Sequence, residues 1–169
     1  GRPVNDLWSM QNGYALATRT GLEMIGAHLR ETGDAAVNEL AGHLRVGVHQ
    51  GVEATDGPSS PGPRVTQVFC SALPVAYGRW PQQLWQEFAQ LILDAAYEAT
   101  LLAGVLNSRQ GGSNIVLLTL LGGGAFGNAP EWIHTAIQRA LDKTQVHGLD
   151  VRMVSYGQPS AQLQALVEL

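Results

Sequence analysis

LTLLGGGAFGNAPEW, residues 118–132, decides how the chain is read. An apolar run ends in three consecutive glycines, passes one aromatic residue and restarts at Asn128-Ala129-Pro130-Glu131. The run before it, residues 115–121, has the continuous hydrophobicity of a strand buried on both faces. Beyond it, Pro130 suits a first helical position, and Trp132, Ile133, Ile137 and Leu141 recur with helical spacing. The stretch therefore reads as a strand, a glycine turn and a helix. Gly122, Gly123, Gly124 and Gly127 permit positive φ and close approach of another group. Asn128 is placed to cap the helix, with Glu131 reaching back as in a capping box. The first helical N–H groups lack intrahelical partners and sit at the positive end of the dipole, which makes an anion cradle best suited to phosphate. Relief of crowding in a tight turn would account for the same glycines.

Gly122, Gly124 and Gly127 also satisfy G-x-G-x-x-G, the dinucleotide-binding fingerprint. That fingerprint follows the first strand of a doubly wound sheet and needs an acidic residue at the end of the next strand. Here one clear strand follows, and it ends in Ser155-Tyr156. The glycines are not followed by Lys and Ser or Thr, so a Walker-type phosphate loop is excluded.

Working outward, residues 1–13 read as loop and residues 15–30 as a helix starting near Thr18 or Thr20, with Leu16, Leu22, Ile25 and Leu29 on one face. A short helix follows over 34–43. Residues 44–54 alternate as a strand with a bulge at a glycine. The Pro- and Gly-rich segment 56–64 is a surface loop, and 65–72 reads as a buried strand. From Pro81 onward, Leu84, Phe88, Leu91, Ile92, Ala95, Ala99 and Leu102 mark a helix, and 107–114 reads as loop. A last strand covers 149–156, and Pro159 opens a short C-terminal helix. Strands alternating with helices in the second half predict an α/β layer fold.

A chain of 169 residues can build one domain with a substantial core. The net charge of −4 gives no electrostatic support to nucleic-acid binding. The single cysteine, Cys70, allows no internal disulfide and suggests a reducing, cytoplasmic setting. No apolar run reads as a membrane span, and no secretory leader is visible. No H-E-x-x-H or C-x-x-C spacing occurs, so neither a metal nor a cofactor is expected. G-x-S-x-G is absent as well.

The order of features over 64–169 resembles the macrodomain family of ADP-ribose-binding proteins. VTQVFCSALPVAY (65–77) is similar to the strand that enters that family's cleft, and LWQEFAQLILDAAYEATLLA (84–103) to its following helix, through Tyr97, Ala99 and Leu101. Gly124-Ala125-Phe126-Gly127-Asn128-Ala129-Pro130 resembles the second phosphate loop, with one extra residue before the proline. The resemblance implies an α/β, macrodomain-like three-layer fold: a mixed sheet flanked by helices, lacking its N-terminal strands. It implies a single domain over 1–169, of which residues 1–63 are diverged or incomplete. It implies that ADP-ribose or an ADP-ribosyl group binds with its diphosphate on Gly122, Gly123, Gly124, Ala125, Phe126, Gly127 and Asn128. Phe126 would lie beside the distal ribose, Ser71 and Pro74 would line the cleft, and Tyr156 would sit near the adenine. The family's Asn-rich opening segment has no clear counterpart; residues 10–25, with Asn12-Gly13, are a diverged candidate. The chain starts at Gly1, and the expectation is that upstream sequence has been removed or is supplied by a second chain.

Two alternatives stay open. One is an ADP-ribosyl hydrolase using the same cleft, with His49, Glu53 and Asn12 as the least poor candidates for a general base. The other is a structural subunit whose missing strands come from a partner. Cys70 reads as inert packing, Asp94 and Glu98 as a solvent-facing i, i+4 pair, and Trp85 and Trp132 as core or its margin.

Overall fold

Residues Gln82–Arg109 form the longest helix of the computed structural model, which describes residues 6–155, 157–159, 161, 163 and 164. In chain order the elements are β1 (Trp8–Gln11), β2 (Tyr14–Ala17), α1 (Arg19–Glu31), α2 (Asp34–Gly42), β3 (Gly47–Glu53), β4 (Arg64–Phe69), α3 (Gln82–Arg109), β5 (Ile115–Leu118), α4 (Pro130–Thr144) and β6 (Asp150–Met153). The expected C-terminal helix after Pro159 lies largely outside the described residues.

Trp85, Ala89, Leu93, Tyr97, Leu101 and Val105 recur every fourth position along α3 and are all buried. They form a ridge against Trp132, Ile133, Ala136, Ile137 and Ala140 of α4. The alanines of both helices let the axes approach, so this pair is the centre of the core. α1 packs on α3 through Leu22 and shares the same cluster. It starts where Thr18 Oγ1 accepts the Gly21 N–H at 2.9 Å, a side-chain N-cap. By length and composition α3 is apolar enough to cross a membrane, contrary to the sequence expectation. Its apolar ridge is nevertheless buried against α1 and α4, as in a core helix.

The fold is mixed α/β, but the strands do not assemble into one sheet. Among the described residues they form three separate two-stranded sheets: β1–β2 and β3–β4 antiparallel, β5–β6 parallel. Three sequence expectations change accordingly. Residues 8–17 are a hairpin and not loop followed by helix; Asn12 at φ 50° and Gly13 at φ 84° turn it, the Asn-Gly signal of a two-residue turn. The strand from 64 is the exposed partner of β3, with Val65 and Phe69 exposed, and burial begins only beyond it at Ala72 and Leu73. The parallel strand β5 is covered on one face alone. Val116 and Leu118 face the core, whereas Leu117 is 64% exposed.

Asp94 and Glu98 do not face solvent as a bare pair. Both are half-buried at the α3–α4 contact, where Arg139 lies 3.7 Å from Asp94 and 3.1 Å from Glu98, and Lys143 Nζ lies 2.6 Å from Glu98. Gln90 donates to Asp94 at 2.7 Å, and Asn38 of α2 accepts from Arg139. Burial outweighs these partners at Asp94 and pushes its carboxyl above the usual value.

Candidate functional site: the glycine loop

The loop leaves β5 at a fixed point. Tyr97 of α3 donates its hydroxyl to the Thr119 carbonyl at 2.8 Å and accepts the Leu121 N–H at 2.8 Å. Burial holds this phenol well above its ordinary pKa, so it stays a neutral bridge at any ordinary pH. Past Leu121 the chain turns at Gly122 (φ 78°) and again at Gly127 (φ 66°). Both positions are crowded as well as left-handed. A Cβ on Gly122 would meet the Ala72 Cβ at 2.4 Å, and one on Gly127 would meet the Ala76 Cβ at 2.8 Å. Gly124 differs: nothing lies within 4 Å of where its Cβ would be.

Much of the loop's polar backbone is used internally. The Gly123 N–H donates to Leu120, the Gly127 N–H to Gly124 and the Asn128 N–H to Gly122, all within 3.0–3.1 Å. Outside the loop, the Ala76 N–H reaches the Phe126 carbonyl at 2.8 Å, and Gln82 donates to the Gly127 carbonyl at 3.0 Å. Three consecutive amides, those of Gly124, Ala125 and Phe126, have no partner among the described residues. Gly124 and Ala125 are exposed.

Asn128 does not cap α4. The N-cap is Ala129, which has no side-chain bond to the helix, and Glu131 does not complete a capping box. Pro130 instead occupies the first helical position. Asn128 is 3% exposed, and its Nδ2 donates to the Leu73 carbonyl at 2.9 Å and to Gly122 at 3.2 Å. It ties segment 71–77 to the glycine loop, and its Oδ1 is buried without a partner. Of the other cleft candidates, Pro74 is buried in that segment and Ser71 is exposed, donating to the Ala72 carbonyl at 3.1 Å. Segments 71–77 and 122–128 therefore lie side by side. Tyr156 lies outside the described residues.

Phe126 brings in two residues that sequence reasoning missed. Its ring centroid is 5.7 Å from that of Tyr14 and 5.6 Å from that of Tyr77, and those two are 5.3 Å apart. All three pairs meet edge to face, at 87°, 81° and 85°. Tyr14 follows the Asn12-Gly13 turn, so the hairpin reading would have presented it at a loop tip. Nothing in the sequence around Tyr77 signals its neighbours.

The candidate general bases are not gathered. On a regular strand residues four apart such as His49 and Glu53 would share a face, but the bulge between His49 and Val52 breaks that two-residue period. His49 instead packs on the Phe69 ring, 5.0 Å between centroids, and Glu53 accepts the Gly62 N–H at 2.9 Å. No bond joins Asn12 to either. Cys70 is half-buried beside Thr100, and burial raises its thiol pKa, which suits packing better than nucleophilic chemistry. Trp85 is fully buried and Trp132 nearly so. Among the described residues no group of three His, Cys, Asp or Glu side chains is placed to hold a metal ion. No family model, curated protein or solved structure matches this chain.

Proposed function

We propose that the chain binds ADP-ribose or an ADP-ribosyl group, with the diphosphate seated on the amides of Gly124, Ala125 and Phe126. The observation that supports this reading is the run of three consecutive unpartnered N–H groups over a glycine with open space above it. Successive backbone N–H groups in a turn form an anion-binding concavity without needing a basic side chain, which fits a protein of net charge −4. The start of α4 adds the positive end of its dipole. On this reading Gly123, Gly127 and Asn128 spend their N–H groups inside the loop, Gly122 shapes its first turn, and residues 64–169 are a macrodomain-like arrangement in which β5 pairs with β6 while β4 pairs with β3.

Calorimetry with ADP-ribose on the wild type and a Gly124→Glu variant tests it. The open space accepts the new side chain, while its carboxylate opposes an anion at the same amides. The expected outcome is binding by the wild type, weakened more than tenfold in Gly124→Glu at an unchanged melting temperature. Equal affinities would defeat the proposal.

A second reading has its own observation. A parallel pair normally has both faces covered, yet Ile115 and Leu117 of β5 are 43% and 64% exposed. A partner chain that completes this sheet would make the protein a structural subunit. Native mass spectrometry of the purified protein decides this: a stoichiometric second component supports it, and a lone chain of 18.0 kDa counts against it.

A further inference from the structure

The corner formed by Tyr14, Tyr77 and Phe126 is an unusual thing to leave on a surface. Tyr14 is 38% and Tyr77 47% exposed, and neither hydroxyl has a hydrogen-bond partner among the described residues. The rings come from three separate places: the hairpin tip, the 3-10 turn Val75–Tyr77 and the glycine loop. Because each pair of planes is nearly perpendicular, no two rings stack face to face, and Tyr14 and Tyr77 both keep exposed surface that a third party can meet. One ring of the corner, Phe126, also contributes one of the three unpartnered amides, so an anion on those amides lies within one residue of the aromatic faces.

We propose that this corner is a stacking platform for a planar base carried by the phosphorylated ligand, so that the site selects nucleotides over sugar phosphates and inorganic anions. The inference rests on the diphosphate reading of the loop. It puts the base against Tyr14 and Tyr77 in place of the Tyr156 position that the family resemblance implied, and so displaces the distal ribose that the resemblance set beside Phe126. The backbone amides supply attraction to any phosphate and so carry no selectivity among phosphates. A base stacked on an aromatic face adds roughly a tenfold gain in affinity or more, and does so without reading which base it is. Adenine and guanine nucleotides are therefore expected to bind alike.

Titrations of the full chain with ADP-ribose, ADP and inorganic pyrophosphate are the test, repeated on Tyr14→Leu, Tyr77→Leu and the corresponding Phe variants. ADP-ribose and ADP are expected to bind the wild type at least tenfold more tightly than pyrophosphate. Either Leu variant should bring all three ligands to within about threefold of one another with pyrophosphate affinity unchanged, and Phe should restore the gap. Where a Leu variant folds poorly, the wild-type series alone can still overturn the platform. Equal binding of pyrophosphate and ADP would overturn the platform and leave the anion loop standing. A preference for ADP over pyrophosphate that survives both Leu variants would overturn it too, placing the base elsewhere. No binding of any of the three would overturn the loop reading and this inference with it.

Discussion

Gly122 and Gly124 are two residues apart and do opposite things. Gly122 combines a left-handed backbone with a methyl-sized gap already filled by Ala72, whereas Gly124 has neither constraint. Gly122→Ala is expected to cost about 2 kcal/mol or more, and Gly124→Ala less than about 1, as read by urea denaturation. If the two cost the same, the loop does not pack as described. The sequence showed four glycines of equal standing; only neighbours from segment 71–77 tell them apart. Asn128 was legible as a polar residue with a structural duty, but the duty is a long-range tie to Leu73 and not a local cap. That partner is 55 positions away, and no local rule reaches it.

At the scale of elements, the helices were the most legible. A stripe repeating every three or four residues needs only one packing surface, and α1, α3 and α4 each found one. The strands were less so. Continuous hydrophobicity in 115–121 signalled two covered faces, yet β5 has one, because burial depends on a second layer that a run of residues does not contain. The Asn12-Gly13 turn was readable and was missed, since Leu16 fits the helical spacing of α1 as well as it fits β2. Truncations separate these environments: Leu101→Ala is expected to cost about 2–5 kcal/mol and Leu117→Ala under about 1 kcal/mol by the same denaturation measurement. The α3–α4 contact also carries a pH signature. Asp94 has its carboxyl pKa raised by burial, so its protonated form is the better accommodated one in the fold. The stability it contributes is fully present below the ordinary carboxyl value and is lost as pH rises through the raised one. Relative to Asp94→Asn, the wild type is expected to be more stable near pH 3 than near pH 7; a pH-independent difference would argue against a desolvated carboxyl.

For the molecule as a whole, stability is unevenly spread. Most of the large fully buried side chains sit on α3 and α4, while six of the seven residues of β3 are exposed. Hydrogen exchange is expected to find the slowest amides in α3 and α4 and the fastest-opening strand pair in β3–β4. Uniform protection across both would contradict that division.

The 28 residues of α3 make a rod about 42 Å long. One end holds Trp85 beneath Gly78, the middle holds Tyr97 at the loop exit, and the far end meets the second hairpin through Asn107. A rod gripped at three stations passes a tilt at one station to the others. A change as distant as Thr66, whose hydroxyl rests on Asn107, therefore has a mechanical route to the curl that follows Leu121.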